Sequence, residues 1–264
     1  MSRIVGLWVL LLAMSVQADW LDAVSAVQAE QPHWVTPLVT VTPRLEQEYR
    51  IDDLATRLPS GTWVNNWGNG KGLELVAPGW PIEVAVSGPG YVSSLDRRHP
   101  QGYTDSSFLL KWRLMAAPEG AGNYIVTVFL GGSLPTGSQQ ISNGQAIYTP
   151  TLALGRGWGA FDLQSTLAYS LPVAAVSRLG HTWVSNTALQ WHLGELWPEL
   201  EYNQTSYRDG PESGQRQGLM TAGLIWRHPL QRRLGLVLGL AYQKPVTRFA
   251  TQSRTLLASA RLPF

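Results

Sequence analysis

Residues 232–264 alternate between two kinds of side chain. Counting back from Phe264 in steps of two gives Leu262, Ala260, Ala258 and Leu256, an unbroken apolar set, whereas the residues between them, Pro263, Arg261, Ser259, Leu257 and Thr255, are mostly polar. The run before it sets Leu234, Leu236, Leu238, Leu240 and Tyr242 against Gly235, Val237, Gly239 and Ala241. A period of two over about ten residues predicts a strand with two unlike faces. About ten residues is also the length a tilted strand needs to cross a bilayer, and lipid would take the apolar face. The alternative is the edge strand of a soluble sandwich, and the rest of the chain decides between them.

The same period recurs along the sequence. Arg44 to Asp52 sets Leu45, Gln47, Tyr49 and Ile51 against Arg44, Glu46, Glu48 and Arg50. A charge at mid-depth on a lipid-facing surface costs about 2–4 kcal/mol, so the charged face of this first strand is expected to point into a lumen. Further strands are predicted near 71–76, 82–86, 108–115, 124–131, 146–154, 161–169, 182–193, 196–207 and 218–226, followed by the final hairpin. In the 196–207 segment Glu199, Glu201 and Asn203 share one parity. The count is about twelve, and an even number is what a single-chain barrel requires.

Connections alternate in length as well. With Phe264 on one side, Ala77–Pro81, Ala117–Asn123, Gly155–Gly159, Leu193–Glu195 and His228–Arg232 are the short ones. Polar stretches at 55–70, 88–105, 132–144 and 208–216 read as long loops on the other side. A sandwich offers no reason for that alternation. The expected fold class is therefore all-β, a transmembrane antiparallel up-and-down barrel. Trp80, Trp158, Trp191, Trp197 and Trp226 lie near the short turns, as an interfacial aromatic girdle would.

Composition narrows the setting. Arg3, an apolar run from Ile4 to Met14 and small residues at Val16 and Ala18 form a secretory signal over residues 1–18, with Asp19 as the expected first mature residue. Residues 19–34 show no period, and 19–43 are expected as a periplasmic lead-in to a single barrel domain over 19–264. The chain has no cysteine, which excludes a disulfide framework and a lipid-bearing N-terminal cysteine. Its 20 basic and 18 acidic residues nearly balance, and no basic run points to nucleic acid.

Candidate chemistry is confined to the charged parity of the strands. Glu46, Glu48, Arg50, Glu74, Glu83, Lys111 and Arg113 come from the first four strands, and Arg261 from the last. Glu83 sits opposite Lys111 or Arg113 on neighbouring strands, and Arg261 is within reach of Glu46 or Glu48 where the barrel closes. Two roles are open to these groups: a constriction that screens solutes by charge, or a structural network inside a narrow lumen. An enzyme is not expected. His181 and Ser185 share a parity, but four residues along a strand is about 13 Å. His33, His99, His192 and His228 fall in loops or at a rim, and Asp96 with His99 has no metal-like partners. Asn203-Gln204-Thr205 is a sequon without meaning in such a strand.

Two resemblances add to this. The apolar parity ending on Leu262 and Phe264 resembles the sorting signal that barrel-insertion machinery reads in Gram-negative outer-membrane proteins. Lys111-Trp112-Arg113-Leu114, then Gly132-Ser133-Leu134-Pro135-Thr136-Gly137, and the strand pair through Ala168-Tyr169 resemble the outer-membrane family named for the MetA pathway of phenol degradation. The likeness spans roughly Arg44 to Phe264. It implies a channel or transporter for small, often aromatic, molecules, and it brings no catalytic residue, cofactor or metal. Expected partners are outer-membrane lipid, the insertion machinery and a small-molecule solute. The other reading is a non-conducting structural or surface-interaction barrel.

Overall fold

The computed structural model describes residues 20–96 and 98–264, without the side chains of 70 and 71. The predicted signal segment and Asp19 lie outside the described residues. The alternating segments form β1 (Glu48–Arg57), β2 (Trp63–Val76), β3 (Ile82–Ser87), β4 (Tyr91–Ser94), β5 (Gly102–Tyr103), β6 (Ser106–Ala117) and β7 (Tyr124–Leu134). They continue as β8 (Ile147–Trp158), β9 (Phe161–Pro172), β10 (Thr182–Trp191), β11 (Leu196–Tyr207), β12 (Arg216–Pro229), β13 (Gly235–Pro245) and β14 (Arg254–Pro263).

Pairing is antiparallel throughout, and β1 closes the sheet on β14 in unbroken register from Glu48 opposite Pro263 to Arg57 opposite Arg254. β2 pairs with β3 along its lower half and with β4 along its upper half, while β3 pairs with β6 and β4 with β5. Thus β3 with β4, and β5 with β6, each act as one stave. The result is a closed barrel of twelve staves, as the alternation predicts. Pairing of β1 with β14 joins the two sides of the wall, which is the condition for a sheet in hydrocarbon.

Loop lengths follow the expectation except at the first hairpin. Connections at the C-terminal rim are short, and the others are longer except for 58–62, where a tight turn replaces the expected loop over 55–70. The glycines and asparagines there belong to β2, a strand of 14 residues that bulges against β1 near Asp52. Gly72 explains part of this: its φ is +71°, and a Cβ there would stand 2.2 Å from the Val86 carbonyl oxygen.

The two faces separate cleanly. On β14, Thr255, Ser259 and Arg261 are buried while Leu256 and Leu262 are exposed, and on β13 Leu238 and Leu240 stand outside, Leu240 at 69% exposure. Stacked sheets would have buried those leucines. Trp80, Trp158 and Trp191 are exposed near the C-terminal rim, and Trp226 is partly so, its indole N–H donating to Glu195 at 2.9 Å. Trp197 corrects the predicted girdle. It points inward, 8% exposed, with its ring 3.9 Å from the His192 ring. The Gly194 turn starts β11 with Leu196 outside, so the next residue falls on the lumen parity. Trp67, Tyr91, Tyr103 and Trp183 supply exposed aromatic residues nearer the opposite rim.

Replacing Leu240 by Arg tests the outer face. The expected cost is about 2–4 kcal/mol, read from urea unfolding of the liposome-inserted protein. An unchanged midpoint would mean that this surface does not meet lipid.

Candidate functional site: a lumen crossed by the N-terminal segment

The inside of the barrel is occupied by the chain's own N-terminal segment. Residues 20–29 form a short helix, α1, whose Val24 and Val27 pack against Leu45 and Val76. Residues 31–47 then run through the lumen, with Gln31, Trp34, Leu38, Thr40, Thr42 and Leu45 almost fully buried. This overturns the lead-in expected over 19–43, and it takes 44–47 out of the predicted first strand. The segment keeps no single period along its length because walls surround it on every side. Pro37 and Pro43 withhold N–H groups that a strand would need, so it stays an isolated strap and does not join the sheet.

An isolated extended backbone must find partners for its own polar groups, and the wall supplies them. Glu199 accepts the Leu38 N–H at 3.1 Å, and Glu201 accepts those of Val39 and Thr40 at 2.8 and 2.6 Å. Arg50 donates to the Leu38 carbonyl at 2.6 Å, and Arg261 donates to those of Pro37, at 2.9 Å, and Thr36. Gln164 donates to the Val35 carbonyl at 3.1 Å and accepts from Thr42 at 2.7 Å. Thr127 donates to the Pro43 carbonyl at 2.5 Å, and Lys111 to that of Arg44 at 3.0 Å. Apolar anchors complete the fit. A Cβ on Gly155 would lie 2.4 Å from the Trp34 ring, and one on Gly239 2.3 Å from Leu38, so both glycines leave room for the strap.

Every charged candidate points inward and is buried. Glu83 lies opposite Lys111 in the ladder, as predicted, and pairs with it at 2.9 Å; Glu74 stands 3.6 Å from the same ammonium. Arg113 turns instead to Glu30 and to the Val27 carbonyl, at 2.7 Å, on α1. Arg261 does not take up Glu46 or Glu48, because the strap carbonyls lie nearer its guanidinium. Glu46 belongs to the strap, pairs with Arg44 at 3.0 Å and donates its N–H to Glu83 at 2.5 Å. Glu48 opens β1 and is buried on the lumen side. Arg50 forms a close pair with Asp52 at 2.8 Å.

The residues missed by the sequence reading are Asp52, Thr127, Gln164, Glu199 and Glu201. Each falls on the inward parity of its strand, and that parity was the available signal. At the rim outside the barrel wall, partial burial pushes the Glu119 carboxyl up, but the N–H and ring of His33 outweigh it and hold the group below its ordinary value.

The strap divides the remaining space. On the long-loop side lies a chamber of about 260 Å³ lined by Leu38, Val39, Leu54 and Leu257, by the polar Asn69, Thr221, Gln243 and Thr255, and by the Arg50–Asp52 pair. On the C-terminal side about 40 Å³ is left among Trp34, Arg44, Glu46, Glu48, Arg227 and Arg261. The chamber's charges are already engaged, since Arg50 donates to both Asp52 oxygens and to strap carbonyls. What it offers a visitor is apolar surface and neutral hydrogen-bonding groups.

Replacing Glu201 by Ala removes the acceptor of two strap N–H groups. Charge-assisted bonds contribute about 1.5–3 kcal/mol each, so amide hydrogen exchange at Val39 and Thr40 is expected to be at least tenfold faster than in the unaltered protein. Equal exchange rates would mean that Glu201 does not hold the strap.

No protein-family model matches the chain, and no curated protein matches it. Solved structures do. A COG4313 outer membrane channel from Pseudomonas putida F1 is 11% identical, with a TM-score of 0.57 over 88% of this chain and 100% of that one. The NanC porin is 7% identical, with a TM-score of 0.53 over 82% and 98%. At these identities the likeness is one of fold: a closed, membrane-type barrel.

Proposed function

We propose that the protein is a strap-gated channel in the outer membrane of a Gram-negative bacterium, passing small neutral molecules with an apolar body and one or two hydrogen-bonding groups. The observation that carries this reading is the chamber above Leu38 and Val39, apolar on one side and neutral-polar on the other, where the Arg50–Asp52 pair is already engaged with itself and with strap carbonyls. A charged solute entering it loses water and meets, among the described residues, no free counter-charge. The resemblance to the MetA-pathway family supports a preference for aromatic or hydrophobic compounds. Export through the periplasm by the N-terminal signal, and insertion guided by Leu262 and Phe264, belong to the same reading.

Within it, the buried charges act as the scaffold that grips the strap rather than as a filter. A second reading, a non-conducting structural barrel, is favoured by one observation: the strap interrupts the lumen between the chamber and the far rim.

The test is current block. In planar bilayers at neutral pH the Glu201→Ala channel is expected to show concentration-dependent interruptions with phenol or cyclohexanol, and none with benzoate or benzylammonium at the same concentration. Block by the charged compounds to the same extent would remove the proposed selectivity. Absence of any current from the folded variant would favour the non-conducting barrel.

A further inference from the structure

Four cations gather at one corner of the long-loop rim. Arg208 follows the last residue of β11, Arg216 opens β12, Lys244 is the next-to-last residue of β13 and Arg248 lies in the loop beyond; all four are exposed. Lys244 stands opposite Met220, four residues along β12 from Arg216, which at the rise of a strand is about 13 Å. The loop that carries Arg248 is fixed to this corner. The Val246 N–H donates to the Gly218 carbonyl at 2.9 Å and the Gly218 N–H to Thr247 at 2.8 Å, while Phe249 packs edge-on against Tyr207 at 5.6 Å.

The cations lack acidic partners. Asp209 is held by His181 at 2.5 Å, and Glu212, on the same loop, makes no ion pair among the described residues. Among the described residues, none of the four cationic side chains forms an ion pair or a hydrogen bond. Cations clustered without a counter-charge repel one another, and this arrangement is stabilised when an anion joins it.

Directly below, on the lipid-facing wall, the surface is hollowed. Ala55, Ala222 and Ala258 leave a groove of about 590 Å³ between Leu224, Leu240, Tyr242 and Leu256. Lys244 is the next outward residue above Tyr242 on β13, so the groove runs up to the cations. Asp53, at the β1 wall, is the one carboxylate lining it.

We infer that this corner binds a phosphorylated glycolipid of the outer leaflet. Its phosphates would rest on Arg216, Lys244 and Arg248, with Arg208 beside them, and one acyl chain would lie in the groove. Guanidinium groups match phosphate oxygens in bidentate fashion, and the groove supplies an apolar contact that a free phosphate cannot use. The inference rests on the outer-membrane reading, because only there does this rim meet such a lipid.

The experiment is native mass spectrometry of the purified full-length protein with bisphosphorylated lipid A, dephosphorylated lipid A and phosphatidylglycerol. Wild-type protein is expected to retain lipid A at least tenfold more than the other two, with millimolar inorganic phosphate failing to displace it. The triple variant Arg216→Gln, Lys244→Gln, Arg248→Gln is expected to lose that preference while keeping the heat-modifiable gel migration of a folded barrel. Equal retention by the triple variant overturns the inference, as does an equal loss in an Arg232→Gln, Arg233→Gln control at the opposite rim. Conductance separates the two readings: current through the Glu201→Ala barrel without lipid A retention defeats this inference alone, and retention without current defeats the channel alone.

Discussion

Deleting residues 21–43 is expected to convert a mostly closed barrel into a persistently open one, with single-channel conductance raised at least fivefold. The strap fills the section between the chamber and the C-terminal rim, and Trp34 and Leu38 seat in hollows made by Gly155, Gly223 and Gly239. A twelve-stave barrel is wider than the eight-stranded ones whose interior side chains fill, so the section depends on the strap for its filling. Water would replace the strap and hydrate Arg50, Arg261, Glu199 and Glu201, so losing the strap's hydrogen bonds does not leave buried groups dry. The barrel should therefore survive the deletion with its closing β1–β14 register intact. Unchanged conductance in a correctly folded deletion protein would show that the strap is not the obstruction.

The second large effect is on stability. Lys111 is fully buried between Glu83 at 2.9 Å and Glu74 at 3.6 Å, and it also donates to the strap at the Arg44 carbonyl. Lys111→Met keeps the volume of the stem and removes the charge. Two carboxylates are then left in a dry site without their cation, a change that costs about 3–5 kcal/mol where one partner of a buried pair is deleted. Urea unfolding should report a loss of that size. Adding Glu83→Gln and Glu74→Gln to the same variant is expected to restore much of it, because the triple change removes the uncompensated charge. An unaltered unfolding midpoint for Lys111→Met alone would mean that the cluster does not hold the wall together.

The barrel was legible because lipid outside and a polar lumen inside impose opposite demands on successive residues of a strand. That demand wrote Leu256, Ala258, Ala260 and Leu262 against Thr255, Ser259 and Arg261. The pairing of Glu83 with Lys111 was legible for the same reason. Two misreadings were local. The glycines and asparagines of β2 look like a loop, yet a bulged strand near a rim accepts them, and Trp197 sits beside a turn but on the inward parity.

The strap was not legible at all. Enclosed on every side, it keeps no single alternation along its length, and its partners lie far along the chain: Glu199 is 161 residues from Leu38, and Gln164 is 129 from Val35. Such contacts leave a trace only on the wall, as acidic and amide side chains such as Gln164, Glu199 and Glu201 on the inward parity.

Residues 44–47 pass into β1 without a linker, and the Gln47 carbonyl accepts the N–H of Phe264 at the closing seam. The strap is thus moored to the first stave. A moored segment that leaves its berth returns to it at an effective concentration in the millimolar range, so its return is a first-order event whose rate ignores how much protein the membrane holds. A free peptide copied from residues 31–43 would have to approach that concentration before it could compete for the vacated berth.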